Sequence, residues 1–251
     1  MQYFINSSNS RFFLGVRGEE LTLLKEDQVQ WQKKAEYQNF RIIGIGNNGI
    51  SAVWSEEGIT LYPLSPDEPP ILLPPYTPEA LAQTSSRLGF CKMDNRGNRI
   101  CIEKITPDPR RKKKNLHQII CFDTLMNTEK VFYEHQTDQT ASGDFLWNIS
   151  RDFDFLTVSE TKKSAKGTLS TVNIIDIPLA TILFDFSVPE ADISLLVVNN
   201  DGTVMLDLTQ NDIREFLIIT PHGAKFEVET IPNSRILHLG RNFVALETKK
   251  P

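Results

Sequence analysis

Polar turns between two apolar segments recur along the whole chain. Apolar and polar residues alternate within the flanking segments, which is typical of antiparallel strands, so each repeat predicts a β-hairpin. The turns lie about 40 to 56 residues apart, which is a spacing typical of proteins built from one small sheet per repeat. The six turns are Asn6–Ser10, Asn47–Gly49, Asp94–Asn98, Arg151–Asp154, Asn199–Gly202 and Gly240–Asn242.

The strands around these turns group into units of four. The clearest unit surrounds an Asn-Gly turn, which is a strong hairpin signal because both residues tolerate a positive φ. Three later stretches repeat the pattern, whereas the two ends of the chain are less regular and bring the total to about 22 strands. The strands of the clearest unit are Phe40–Ile45, Ile50–Trp54, Gly58–Leu64 and Pro70–Leu73.

Two segments depart from this rhythm. Asp27–Gln38 begins with a sequence that resembles a helix capping box, so it predicts either a short helix or a strand over Val29–Lys33. Pro63–Pro78 contains seven prolines. Proline cannot donate a hydrogen bond to a sheet, so we expect this segment to form an outer edge strand and its connection. No other stretch has the periodicity of a helix.

Several positions carry a resemblance to a known family. Ile120–Asp123 and Ile174–Asp176 end an apolar third strand with an aspartate, where tryptophan–aspartate (WD) repeats carry Trp-Asp. Ile149–Leu156 is similar to the turn between the first two strands of such repeats. The chain therefore resembles a degenerate, WD-repeat-like member of the β-propeller superfamily. The resemblance implies a scaffold for protein–protein contacts.

The predicted fold is all-β, a propeller of five or six four-stranded blades whose ring is closed by strands from both termini. Closure of this kind would leave no exposed sheet edge. We predict a single propeller domain over residues 1–251. Its approximate repeat units are 1–35, 36–85, 86–140, 141–189, 190–232 and a partial unit over 233–251.

Composition narrows the classes of function and location. The net charge of −5 and the pI of about 5.5 argue against a general nucleic-acid binder, which needs an excess of basic residues. The N-terminal residues carry no signal-peptide pattern, and no apolar run is long enough to cross a membrane. The three cysteines are few for this length, which suits a reducing compartment. We therefore expect a cytoplasmic protein.

Two basic segments stand out in this acidic chain. Pro109–Asn115 and Thr161–Gly167 each join the second and third strands of their units, and such loops of neighbouring blades emerge on one face of a propeller. The equivalent loop of the preceding unit, Ser55–Gly58, is acidic. The pattern predicts a basic rim that attracts an anionic partner. The predicted partner-binding residues are Arg110, Arg111, Lys112, Lys113, Lys114, Lys162, Lys163 and Lys166.

We expect a noncatalytic interaction scaffold whose partner is another protein with an acidic surface. Nucleic acid and anionic lipid rank behind such a protein. No aromatic residues alternate with the basic ones, which argues against stacking of single-stranded nucleic acid in particular. Self-association through the incomplete last blade is a further expectation, because an unfilled sheet can accept strands.

Enzymatic chemistry has few signals in the sequence. Gly44–Gly49 matches a dinucleotide-binding pattern, but a strand follows where the pattern needs a helix. The cysteines lack zinc-ligand spacing and the four histidines are dispersed, so we predict no metal and no other cofactor. The alternative function is a hydrolase or lyase whose carboxylates converge on a central channel. The candidate carboxylates are Asp94, Asp144, Asp152 and Asp201.

Overall fold

The structure is a computed structural model, and it describes most of the chain. The described residues are 2–34, 40–108, 110–111, 113–138, 145–164, 167–210, 212–222, 225–232, 234–239 and 244–248. They form antiparallel sheets whose strands follow one another in chain order. The chain divides into two compact units, Met1–Gln139 and Thr140–Pro251.

The first unit holds three four-stranded sheets. Sheet 1 contains β1 (Gln2–Asn6), β2 (Phe12–Arg17), β3 (Glu20–Lys25) and β4 (Gln28–Lys34). Sheet 2 contains β5 (Arg41–Ile45), β6 (Ser51–Ser55), β7 (Gly58–Tyr62) and the short β8 (Ile71–Leu72). Sheet 3 contains β9 (Arg87–Met93), β10 (Arg99–Pro107), β11 (Lys114–Asp123) and β12 (Thr128–Asp138).

The second unit holds two four-stranded sheets and a pair of strands. Sheet 4 contains β13 (Phe145–Ile149), β14 (Phe155–Ser164), β15 (Gly167–Asp176) and β16 (Thr181–Pro189). Sheet 5 contains β17 (Ala191–Val198), β18 (Val204–Gln210), β19 (Ile213–His222) and β20 (Lys225–Pro232). Sheet 6 contains β21 (Ser234–Leu239) and β22 (Val244–Thr248).

The first hairpin of every four-stranded sheet is closed by a five-residue turn of one design. The fourth residue of the turn has a positive φ and donates its backbone N–H to the carbonyl of the first residue, at 3.0–3.1 Å. These five turns coincide with the predicted ones, while the predicted turn at Gly240–Asn242 lies outside the described residues. The fourth residues are Ser10, Gly49, Gly97, Phe153 and Gly202.

Adjacent sheets within each unit pack through apolar side chains. Leu14 and Leu23 of sheet 1 belong to one buried cluster with Val53 of sheet 2. A second cluster joins sheets 2 and 3, and a third joins sheets 4 and 5. The alternating pattern of the strands explains this packing, because every second side chain faces the neighbouring sheet.

Hydrogen bonds between neighbouring turns add to this packing. The Asn47 side-chain oxygen accepts from the Ser8 hydroxyl at 2.9 Å, and the Asn47 N–H donates to the Asn95 carbonyl at 2.6 Å. In the second unit, the Asn200 amide donates to Asp152 at 2.6 Å. Within each unit, the turns therefore help to hold neighbouring sheets against each other.

A helical insertion follows β8. A 3-10 helix over Pro74–Tyr76 leads into α1 (Pro78–Gln83), whose first turn is capped by the Thr77 hydroxyl. The expectation that no helix exists outside Asp27–Gln38 was therefore wrong. Within that segment the strand interpretation is correct, because β4 occupies Gln28–Lys34 and residues 35–39 lie outside the described residues.

Five four-stranded sheets and a two-stranded sixth agree with the predicted five or six units. Ring closure by strands from both termini stays a prediction. Among the described residues, β1 pairs within sheet 1, and β21 and β22 pair with each other.

Candidate functional site

The first basic segment joins β10 to β11, as the sequence predicts. Arg110, Arg111 and Lys113 are exposed, and among the described residues none of them makes an ion pair. Lys114 is partly buried because it is the first residue of β11 and lies opposite Asp138 in the sheet. Lys112 lies outside the described residues. The tip of the segment therefore presents three cationic side chains to solvent.

The loop is anchored by a single buried carboxylate. Asp108, 9% exposed, accepts the Arg110 backbone N–H at 2.9 Å and the Gln136 side-chain amide of β12 at 2.7 Å. Its own N–H donates to the Lys114 carbonyl at 2.9 Å, and its carbonyl accepts from the Arg111 N–H at 3.3 Å. These bonds hold the loop to two strands, so the cationic tip has a defined position on sheet 3.

The second basic segment is mostly strand rather than loop. β14 continues to Ser164 and β15 begins at Gly167, so the predicted loop over Thr161–Gly167 shrinks to the connection at 165–166. The error arose because polar residues at the end of a long hairpin look like a loop in sequence. The Lys162 ammonium lies 3.6 Å from the Glu160 carboxylate. Lys163 lies in β14, and Lys166 lies outside the described residues. A common rim of both segments stays a prediction.

A cavity of about 500 Å³ opens in the first unit, and no local motif in the sequence pointed to it. Its lining comes from four separate segments, which are the start of β5, the end of β6 with the turn that follows it, α1, and the start of β9. The side chains that define its chemistry are Arg41, Trp54, Glu56, Leu81, Arg87 and Leu88.

Two arginines flank the apolar part of this cavity. Arg41 lies opposite Trp54 in the β5–β6 pair, and its guanidinium stands 5.7 Å from the centre of the indole ring. Arg87 is exposed at the start of β9. Within the part of the chain that the structure describes, neither arginine makes an ion pair. Both guanidinium groups are therefore available to an anionic ligand.

The cavity and the basic loop lie at the same end of sheet 3. Arg87 is opposite Ile105 in the β9–β10 pair, two residues before β10 ends. The Ser86 hydroxyl, which lines the cavity, is 2.7 Å from the Thr106 hydroxyl. Thr106 in turn lies two residues before the loop anchor Asp108. The cavity and the loop thus belong to one surface.

The described carboxylates among those proposed for the alternative, enzymatic function form hydrogen bonds that stabilise the turns. Asp94 is 1% exposed, accepts the backbone N–H groups of Asn98 and Arg99, and forms an ion pair with the Arg99 side chain at 3.1 Å. Asp152 accepts the Asn200 amide, and Asp201 accepts the Thr203 backbone N–H at 2.9 Å. Asp144 lies outside the described residues. In the described ranges, no three His, Cys, Asp or Glu side chains are grouped closely enough to hold a metal ion.

One hydrogen-bonded chain has the chemical order of a nucleophilic site. The His117 ring lies between the Glu103 carboxylate at 2.7 Å and the Thr137 hydroxyl at 2.8 Å. Hydroxyl, imidazole and carboxylate in this order activate the nucleophile in many hydrolases. Here Thr137 on β12 is only 7% exposed, and none of the three residues lines the cavity. This series of hydrogen bonds therefore links β10, β11 and β12 across one face of sheet 3.

No protein-family model matches the chain, and no curated protein is significantly similar to it in sequence. Solved structures do match. The β-propeller domain of Cps50 (Swd1) from Myceliophteria thermophila has 11% identity and a TM-score of 0.51, over 92% of this chain and 70% of its own. The Dos1 propeller has 13% identity and a TM-score of 0.50, over 90% and 65%. Hydrazine synthase from Kuenenia stuttgartiensis has 12% identity and a TM-score of 0.48, over 91% and 65%. This chain thus spans about two thirds of the length of each.

The first two of these matches confirm the fold class. Both are propellers, and each is matched over at least 90% of this chain. Together with the five four-stranded sheets, they show that the chain has a β-propeller fold. At 11–13% identity the likeness extends to the fold and to nothing else. Among the described helices, none has the length and apolar character needed to span a bilayer.

Proposed function

We propose that this chain is a noncatalytic interaction scaffold that binds an acidic protein through its basic rim. The observation that carries the proposal is the loop anchored by Asp108, which presents Arg110, Arg111 and Lys113 without ion-pair partners among the described residues. Because the loop backbone is anchored, it loses little conformational entropy on binding, and the exposed cationic side chains attract anionic surfaces. The proposed binding residues also include Lys112, Lys114, Lys162, Lys163 and Lys166.

A protein partner ranks ahead of nucleic acid and anionic lipid. The net charge of −5 argues against a general nucleic-acid binder, which needs an excess of basic residues. The tip residues Arg110 to Lys113 also have no aromatic side chain on which a base could stack. A cytoplasmic location is part of the proposal, since the three buried cysteines are free thiols. Self-association through sheet 6 is also part of the proposal.

A matched pair of charge variants tests the proposed function. The loop variant combines Arg110→Ser, Arg111→Ser and Lys113→Ser. The control combines Lys25→Ser, Lys33→Ser and Lys34→Ser in sheet 1, and it removes the same number of charges. Partners captured from native lysate by the wild-type chain are identified by mass spectrometry, and their affinity for all three proteins is measured at two salt concentrations.

We expect the loop variant to bind about tenfold more weakly and the control to bind like the wild type. The wild-type affinity should also fall as salt rises, because the attraction is between exposed charges. Equal losses in both variants would show that net charge rather than the loop controls binding. Unchanged affinity in the loop variant would contradict the proposed site.

A further inference from the structure

The cavity beside α1 has a rigid, mostly apolar floor. Trp54 and Leu81 pack against the buried cluster that joins sheets 2 and 3. The insertion that carries α1 is fixed by Tyr76, which is 1% exposed. Its ring packs edge-on against Phe122 at 5.6 Å, and its hydroxyl donates to Glu129 at 3.1 Å. A wall held in this way is formed before any ligand arrives, so binding requires little reorganisation.

The cavity has room for a large apolar side chain, and its lining provides apolar contacts for it. A volume of about 500 Å³ is at the lower end of the range for small-molecule sites. It also exceeds what one aromatic or leucine side chain needs. Interfaces often place such a side chain in a preformed pocket, where it supplies most of the binding energy. Trp54, Leu81 and Leu88 provide the apolar contacts here.

The charged side chains at the cavity determine which ligand residues fit on either side of the inserted apolar side chain, which is called the anchor below. Arg41 and Arg87 have no carboxylate partner among the described residues, whereas Glu56 is the one acidic side chain of the lining. Guanidinium groups bind carboxylates through two parallel hydrogen bonds. An anchor flanked by acidic residues therefore fits the cavity better than one flanked by basic residues.

The neighbouring basic loop indicates an extended ligand rather than a small molecule. The Ser86–Thr106 hydrogen bond ties the cavity wall to the strand that leads into the Asp108-anchored loop. A chain segment seated in the cavity can continue toward Arg110 and Arg111, which a compact ligand cannot reach. The continuity of the two features thus favours a peptide.

We infer that the cavity is a docking site for an acidic peptide segment that inserts one large apolar side chain between Trp54 and Leu81. Carboxylates next to that side chain bind Arg41 and Arg87, and further acidic residues follow the surface toward the basic loop. The inference rests on the proposed function, since it specifies which part of an acidic partner the scaffold recognises.

The first test uses two synthetic peptides and the full chain. The probe is acetyl-Glu-Asp-Phe-Leu-Asp-Glu-amide, and its control has Ser in place of both Phe and Leu. Binding is measured by calorimetry and by the emission of Trp54, with Trp54→Phe identifying that signal among the three tryptophans. We expect a dissociation constant of about 10–100 µM for the probe and at least tenfold weaker binding of the control. Equal affinities, or no detectable binding of the probe, would overturn the inference.

The second test separates charge from shape. Arg41→Gln with Arg87→Gln removes the cationic flanks, while Ala82→Trp fills the cavity from an exposed position on α1 and leaves all charges in place. Both variants should weaken binding of the probe at least tenfold. Unchanged affinity in either would overturn the inference, and so would displacement of the probe by AMP, which would indicate a nucleotide site. Unchanged far-UV circular dichroism establishes that each variant is folded.

A third comparison keeps the inference distinct from the proposed function. The partner identified from lysate is measured against the cavity variants and the loop variant. Loss of partner binding in both sets supports the inference. Loss in the loop variant alone would leave the proposed function standing and overturn the inference. Loss in the cavity variants alone would support the docking site and contradict the basic rim.

Discussion

Burial controls the ionisation of the three cysteines in sheet 3. Cys101 lies opposite Cys121 in the β10–β11 pair, and Cys91 lies opposite Ile102 in the β9–β10 pair. Loss of solvation raises the pKa of Cys91 and of Cys121 to about 12 in each case, and it raises the pKa of Cys101 well above its ordinary value. All three cysteines are buried, and they contribute small side chains to the interior of sheet 3.

The raised thiol pKa values predict a loss of stability at alkaline pH. Below about pH 8.5 the thiols are protonated in both states, and their burial is retained without cost. Between about pH 8.5 and pH 12 the unfolded chain loses protons that the folded chain keeps, so unfolding becomes easier as pH rises. Each thiol should remove up to about 1.4 kcal/mol of unfolding free energy per pH unit in this window.

Urea unfolding at pH 7.5 and pH 10 measures this effect. Cys121→Ala should be less stable than the wild type at both values, because it leaves a small cavity, but it should lose less stability between them. Ellman's reagent provides the second readout, with slow labelling of the native chain and rapid labelling of three thiols in urea. Rapid labelling of the native chain at pH 8 would contradict burial.

At the scale of the element, the five-residue turn between the first two strands explains much of the regularity of this chain. The fourth position adopts φ values from 57° to 83° in all five turns. Glycine occupies this position in three turns, and Ser10 and Phe153 occupy it in the other two. An L-residue is disfavoured in this region because its Cβ approaches the backbone, whereas glycine has no such penalty.

Ser10→Gly should therefore stabilise the protein. Ser10 is exposed and has a φ of 57°. Removal of the strain outweighs the greater flexibility that glycine gives the unfolded chain, and we expect a gain of about 0.5–1 kcal/mol. Ser10→Ala is the control, because it retains the Cβ and should change stability little. Chemical denaturation decides between them, and a loss of stability in Ser10→Gly would show that the turn is unstrained.

The strands, turns and helix also show which parts of the fold can be predicted from the sequence. Alternating strands and Asn-Gly or Asp-rich turns are local signals, so the sequence predicted the hairpins and the connection that carries Arg110, Arg111 and Lys113. Helix α1 was missed because it covers only 6 residues, although a threonine cap at Thr77 followed by Pro78 is a recognisable start signal. The cavity had no local signal at all, because its lining comes together only when two sheets and the insertion pack.

At the scale of the whole molecule, the charge distribution gives an acidic partner long-range repulsion and short-range attraction. The chain carries a net charge of −5, so an acidic partner is repelled at a distance and attracted only near the basic loop. The Debye length of about 8 Å at physiological ionic strength screens the distant repulsion but acts less on contacts at the loop. At physiological salt, contacts at the loop should therefore dominate binding, and the affinity should fall as further salt weakens these contacts.

If residues 1–251 form the predicted single propeller domain, both compact units should unfold together. A ring in which every blade packs against its neighbours should unfold in one cooperative transition. Ile59→Val in the first unit and Ile174→Val in the second are matched probes, since both isoleucines are fully buried and each change costs about 1 kcal/mol. For a single domain, scanning calorimetry should show one unfolding peak, and either variant should lower its midpoint temperature by about 2–4 °C. Two peaks, each lowered by only one of the variants, would show instead that Met1–Gln139 and Thr140–Pro251 are independent domains.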